Sequence, residues 1–196
     1  MDVALAKSHG RGSGHGYFHK TQQGLTLLEL LTSLAIVAIT FSFGIPKVFA
    51  IVHSNRLAAA SNSLSGSFAL ARSEAVTRKR EVVICKSRDG ARCTKKGGWE
   101  QGWIVFIDQN YNEKRDEDEK LVRVQAALPD EIQLNFSAFR SKNFVTYWAS
   151  GFSEMNGTFT FCIKNQPQMT RALILSKVGR LRKSSTKWDG TPLECD

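Results

Sequence analysis

Residues 22–46 read QQGLTLLELLTSLAIVAITFSFGIP, an apolar run opened by Gly24 that carries one acid, Glu29, just inside its start. A carboxylate near the centre of a bilayer costs about 2.5–3.5 kcal/mol even on mild insertion scales, so Glu29 calls for something that meets it there. The run continues to about Val52, broken only by Glu29, Pro46 and Lys47. At about 1.5 Å per residue such a helix is long enough to cross a membrane. Upstream lies a polar, Gly- and His-rich leader, residues 1–24, with Lys7, Arg11 and Lys20 and no apolar core. An ordinary secretory signal has the opposite order, with its apolar region before a small-residue cleavage site. Basic residues only on the N-terminal side of the run place the leader in the cytoplasm and the body outside. A membrane-spanning segment is therefore expected over 25–52.

The chain has 196 residues, room for one ordinary domain and an appended segment. Hydrophobic content of 42%, with 10% aromatics, excludes disorder as a description of the whole. The net charge is +9, from 27 basic and 18 acidic residues. Few of these charges lie in the leader, so the basic surplus belongs to the body and favours a polyanionic partner. Four cysteines, at 85, 93, 162 and 195, form an even set that suits an oxidising space. That compartment agrees with the orientation read from the leader. No C-x-x-C and no His-containing metal spacing occurs, and His53 is the one histidine beyond the leader. A His-based triad or a zinc hydrolase is thereby excluded, and neither enzymatic activity nor a cofactor is expected.

Beyond Pro46 the pattern turns amphipathic. Leu57, Leu64, Phe68, Ala71 and Ala75 recur on one helical face. Arg72, Arg78, Lys79 and Arg80 gather toward the end, where the helix dipole favours cations. The second half of one long helix is therefore expected over 53–80. From Glu81 the period changes to that of strands: EVVIC, GWIVFID, KLVRVQ, EIQLNF, FTFCIK, RALILS and GRLRKS, with NFVTYW as an eighth. The predicted fold is α+β. A long N-terminal helix, membrane-spanning then amphipathic, packs on an antiparallel β-sheet in a β-rich domain over 81–196.

GLTLLELL, Gly24 to Leu31, resembles the prepilin signature of type IV pilins and type II secretion pseudopilins. The resemblance implies cleavage after Gly24 by a prepilin peptidase and methylation of the new N-terminus, Leu25, which stands where the family usually has phenylalanine. It places Glu29 at the family's fifth mature position and Pro46 at its helix kink. In a filament Glu29 would meet the positive N-terminus of a neighbouring subunit, which offsets its burial. The cysteine pair around SRDGARC, then WEQGWIVFIDQN, and a late FC strand followed by RALILSKVGRLR resemble the FimT/GspH branch of that superfamily. Within that resemblance Cys85 is paired with Cys93 and Cys162 with Cys195, one of three connectivities open to four cysteines. The expected location is the inner membrane with the body in the periplasm, then the pilus after assembly. Other pilin subunits are the expected partners through the N-terminal helix.

The foremost candidate site is SKVGRLRKSSTK, Ser176 to Lys187. From Asn156 to Trp188 the chain has no acid, whereas Lys164, Arg171, Lys177, Arg180, Arg182, Lys183 and Lys187 are all basic. Gly179 suits a tight turn because glycine accepts positive φ. On a strand Arg180 and Arg182 point to one side about 6.6 Å apart, with Leu181 facing the core. Guanidinium groups fork well onto phosphate oxygens. Charge alone favours a solvated basic strand face, or one that contacts acidic neighbours. GRLR, however, is similar to the G-R-x-R motif of FimT-type minor pilins, which bind DNA during natural transformation. That resemblance gives Arg180 and Arg182 a DNA-contacting role; Lys177, Lys183 and Lys187 join them by charge and proximity. The rival is a structural or assembly-priming minor pilin, or a GspH-like pseudopilin of a type II secretion system, without DNA binding.

Three further stretches invite a functional reading. Arg78, Lys79, Arg80, Lys86, Arg88, Arg92, Lys95 and Lys96 form a second basic cluster, for which a solvated loop and helix end is the expectation. Asp108, Asn110, Asn112, Asp116 and Glu119 have the spacing of a calcium loop, but Glu113 stands where its glycine belongs. A polar hairpin between two strands is expected there instead. Trp99, Trp103, Tyr147, Trp148 and Trp188 could stack bases, though most are expected in the core.

Overall fold

A computed structural model of the chain describes residues 24–195, and within them the side chains of all but 43–47. The leader, apart from Gly24, and the side chain of Pro46 lie outside the described residues. Two compact units divide the chain, Met1–Gly44 and Ile45–Asp196.

In the first unit a helix, α1 (Leu27–Arg78), begins at Leu27 and continues beyond the unit. Thr26 caps it: its Oγ1 accepts the Glu29 N–H at 3.2 Å, so Glu29 occupies the third helical position, where a carboxylate complements the helix dipole. The apolar side chains that follow, from Leu27 to Phe41, are exposed. Thr32, Ser33, Thr40 and Ser42 each donate to a helix carbonyl three or four residues back, so these hydroxyls need no outside partner. Among the described residues no helix is long and apolar enough to cross a membrane. The crossing expected over 25–52 includes the side chains of 43–47, which are outside that set.

In the second unit α1 ends at Arg78 in a left-handed cap. Lys79 has φ 54° and the Arg80 N–H reaches the Ala75 carbonyl at 3.3 Å. The predicted stripe of Leu57, Leu64, Phe68, Ala71 and Ala75 is buried, joined by Ala60. Eight strands follow: β1 (Glu81–Lys86), β2 (Trp103–Asp108), β3 (Leu121–Gln125), β4 (Ile132–Ala138), β5 (Phe144–Tyr147), β6 (Gly157–Ile163), β7 (Gln166–Leu175) and β8 (Leu181–Ser184). They form two four-stranded antiparallel sheets rather than one. The orders are β3-β2-β1-β5 and β4-β6-β7-β8.

The core of this unit joins the helix stripe to both sheets. Phe68 meets Phe159 and Tyr147 edge-on at 5.3 and 6.1 Å, and Phe136 stacks on Phe159 at 4.0 Å. Aromatic pairs of this kind contribute about 0.5–1.5 kcal/mol each beyond their buried area. The buried indoles keep a partner: Trp103 Nε1 donates to Ser67 Oγ and Trp99 Nε1 to the Lys142 carbonyl, both at 2.9 Å. Val83, Cys85, Ile104 and Phe106 fill the other face of the first sheet, packed with Cys93 and Leu121. The loop closed by Cys85–Cys93 thus helps cover that face, which is why β1 and β2 read as continuous rather than alternating apolar runs. The second bridge is Cys162–Cys195, so both bridges match the expected pairing.

Candidate nucleic-acid interface

β7 and β8 meet in the turn Ser176–Arg180. The Gly179 N–H reaches the Ser176 carbonyl at 2.9 Å, and Ser176 N–H reaches the Arg180 carbonyl at 3.0 Å. Gly179 has φ +75°, the left-handed residue of a type I turn with a glycine bulge. Space demands glycine as well. A Cβ there would press on the Gly151 carbonyl and come within 2.8 Å of Tyr147 Cε1. The 148–153 loop holds the turn from the side, with Ser153 N–H on the Lys177 carbonyl at 2.9 Å. The Tyr147 hydroxyl donates to the Gly179 carbonyl at 3.1 Å.

Arg180 lies just before β8 and Arg182 within it, opposite Ile174 of β7. Both side chains are exposed, and neither makes a hydrogen bond or ion pair with the described residues. Lys177 is likewise exposed at the tip. The other two basic candidates are engaged elsewhere. Lys183 points toward α1, where its Nζ donates to Asn62 Oδ1 at 2.8 Å, and Lys187 pairs with Glu194 at 2.7 Å. Lys183 stands opposite Leu173 in the register, on the core side of the sheet, so strand parity separates it from Arg182.

Sequence reasoning missed Arg72 as a neighbour of this turn. A groove of about 610 Å³ runs between α1 and the turn, and Phe68, Arg72, Val76, Tyr147, Arg180 and Leu181 are among its lining residues. Arg72 Nε lies 3.4 Å from where a Gly179 Cβ would stand. The signal was present in helical phase: Arg72 is one turn beyond Phe68 and one before Val76, at the border of the buried stripe.

The part of the second basic cluster in and around the Cys85–Cys93 loop is not brought to this turn. Val82 pairs with Tyr147 beside Gly179, whereas Lys86 lies four residues on, about 13 Å along β1. Lys86 is buried and donates to the carbonyls of Lys95 and Gly97 at 3.3 and 2.7 Å; burial lowers its pKa, and Glu100 works against that. Arg92 pairs with Glu117. The calcium-like spacing is the expected hairpin loop between β2 and β3. Buried Asp108 accepts N–H groups of Tyr111, Asn112 and Glu113, and Glu119 accepts those of Gln109 and Asp116. The carboxylates of Asp108 and Glu119 are thus committed to the loop's own backbone, and that of Asp116 accepts the side-chain amides of Asn110 and Asn112 at 2.7 and 2.8 Å. Among the described residues no group of three or more His, Cys, Asp or Glu could hold a metal ion.

The family model for the type II transport protein GspH matches residues 60–179, and that for the prokaryotic N-terminal methylation motif matches residues 19–45. The first match stops at Gly179, one residue short of Arg180. The chain is similar to the pilin-like protein PilA1 of Thermus thermophilus, 34% identical over 102 residues. That match covers 51% of this chain and 57% of the relative, so it spans little more than half the relative's length. In structure the chain is similar to the type IV minor pilin FimU of Pseudomonas aeruginosa, with a TM-score of 0.52 at 21% identity over 66% of this chain and 89% of that one. The minor pseudopilin EpsH of the Vibrio cholerae type 2 secretion system gives a TM-score of 0.49 at 15% identity, over 66% and 96%. At 21% identity the likeness to the solved minor pilin bears on the fold alone.

Proposed function

This chain belongs to the family of the type II transport protein GspH, and from that premise we propose that it is a minor type IV pilin that binds DNA for uptake in natural transformation. The pilin or pseudopilin character rests on the family match, the methylation motif and the helix-on-sheets fold. DNA binding rests on one observation. Arg180 and Arg182, exposed after the Gly179 turn, have no partner among the described residues in a stretch of chain without acids. Two unpaired guanidinium groups beside an exposed turn suit phosphate oxygens, and binding through phosphates is electrostatic and independent of sequence. The protein acts as a filament subunit rather than an enzyme.

Maturation follows the same reading. A prepilin peptidase cuts after Gly24, Leu25 is methylated, and the helix beginning there crosses the inner membrane with the β-rich unit in the periplasm. In the filament Glu29 meets a neighbouring subunit's N-terminus. A second reading is favoured by the family model itself, which is named for a transport protein and ends before the arginine pair. It is a secretion pseudopilin or an assembly-priming pilin without DNA binding.

Fluorescence anisotropy of labelled duplex DNA titrated with the full chain in detergent micelles separates the two. If about four phosphates are neutralised, log affinity falls with log salt at a slope near −3.6; loss of two contacts in Arg180→Gln, Arg182→Gln brings it near −1.8. Equal binding by both proteins moves the site off this hairpin, and no binding at low salt leaves the structural subunit as the function.

A further inference from the structure

The geometry points to single-stranded rather than duplex DNA as the ligand, held with its bases on the outer face of the second sheet; this inference rests on the DNA-binding reading above. Cross-strand register aligns Ser137, Thr158, Ile174 and Arg182 in one row across β4, β6, β7 and β8. Directly opposed residues of antiparallel strands share a face, and the adjacent row, Phe136, Phe159 and Leu173, is buried in the core. The row that ends in Arg182 therefore lies on the side of the sheet away from that core, with Ser137 and Arg182 exposed and Thr158 buried between them.

Ser137, Thr158 and Ile174 help line a groove of about 620 Å³ that is also lined by Phe139 and Trp188. Those two rings are among the most exposed in the protein: Trp188 is 76% exposed and Phe139 fully so. Arg182 stands one strand beyond Ile174, about 4.8 Å away across the ladder. A backbone phosphate on Arg182 thus leaves its base within reach of the groove.

Charge selects the occupant. The chain from Asn156 to Trp188 supplies cations and no acid. The two nearby acids of the tail are already committed, Glu194 to Lys187 and Asp189 to the N–H and hydroxyl of Thr191. Aromatic faces beside unpaired cations are how proteins hold unstacked bases, and a four-stranded sheet displaying aromatics is one platform for it. A duplex keeps its base faces stacked inside, so it offers the phosphates to Arg180 and Arg182 but nothing to Trp188 and Phe139.

The test compares a labelled single strand of mixed sequence with the duplex of the same length, each titrated with the full chain in detergent micelles. Wild type binds the single strand more tightly than the duplex. Phe139→Ala, Trp188→Ala lowers single-strand affinity by about 5- to 150-fold, the range for loss of one stacked base, and leaves duplex affinity unchanged. Both side chains are exposed, so the melting temperature should hold and confirm an intact fold. Unchanged single-strand binding in this variant overturns the inference, as does an equal loss on both forms. Arg180→Gln, Arg182→Gln is the separate check on the reading beneath it. If that variant binds the duplex as wild type does, the arginine site fails whatever the aromatic variant shows, and no binding to either form overturns both.

Discussion

The hydroxyl of Tyr147, at the end of β5 in the first sheet, donates at 3.1 Å to the carbonyl of Gly179, in the turn of the second. Both residues are buried, and burial pushes the phenol's pKa well above its ordinary value while Arg72 pulls the other way. Tyr147→Phe leaves the carbonyl without its donor. A loss of about 1–3 kcal/mol in urea unfolding is expected, the range for a buried acceptor left unsatisfied, together with weaker DNA binding through a looser turn. Full retention of both would show that the bond does not position the arginines.

Gly179 and Gly190 both have positive φ, at 75° and 85°, but only Gly179 is crowded, since nothing lies within 4 Å of a Cβ at Gly190. Gly190→Ala carries the left-handed backbone cost alone, about 1–2 kcal/mol. Gly179→Ala adds a collision with the Gly151 carbonyl and the Tyr147 ring and should cost more. Chemical denaturation of the two variants side by side measures the steric part as their difference.

The two disulfides should differ in weight. Cys162–Cys195 spans a separation of 33 residues and Cys85–Cys93 one of 8. Loop-closure entropy gives about 4 kcal/mol for the longer and about 2.6 kcal/mol for the shorter. Replacing each pair by serine and comparing thermal melts should show the larger loss for the longer loop. The reverse order would mean that packing of Cys93 beneath its loop outweighs entropy.

Glu81 stands opposite Asp108 across β1 and β2. Burial first, then the carboxylates of Asp108 and Glu113, hold its pKa above the ordinary glutamate value. A raised folded pKa means the stability it contributes is full below the unfolded value, near 4.3, and is lost as pH rises through the folded one. Glu81→Gln should therefore gain about 0.2–1 kcal/mol at pH 7, the range for opposed like charges in a sheet, and nothing at pH 4. Melts at the two pH values read this directly.

Arg72 borders the same groove as Arg180. If the groove admits a phosphate, Arg72→Gln lowers duplex affinity and makes the salt slope shallower by about 0.9. An unchanged slope would confine the contact to the hairpin.

Much of the fold was legible because each element carries its own period. The stripe from Leu57 to Ala75 is helical, and the eight strand-like stretches between turn residues correspond to the eight strands. The division into two sheets was not, because pairing is non-local. β5 leaves its chain neighbours β4 and β6 to pair with β1, and no pattern within Phe144–Tyr147 specifies that partner. At the site the Gly179 turn and the exposed Arg182 could be read from glycine chemistry and strand parity. The engagement of Lys183 with Asn62 could not, since 121 residues separate them, and Arg72 was hidden by attribution to the helix end.

Leu57 is the first side chain of α1 to enter the core of the second unit, and nothing before it among the described residues is buried there. Stability of the β-rich unit therefore draws on the sequence from Leu57 onward, with Ser54 and Arg56 adding a hydrogen bond to Arg171 and an ion pair to Glu131. Under the filament reading proposed above, change upstream of His53 would answer to lipid or neighbouring subunits, while change downstream answers to the core and its ligand. A thermal melt of the β-rich unit would register the second kind of change and stay blind to the first. The two histories can then diverge within a single gene.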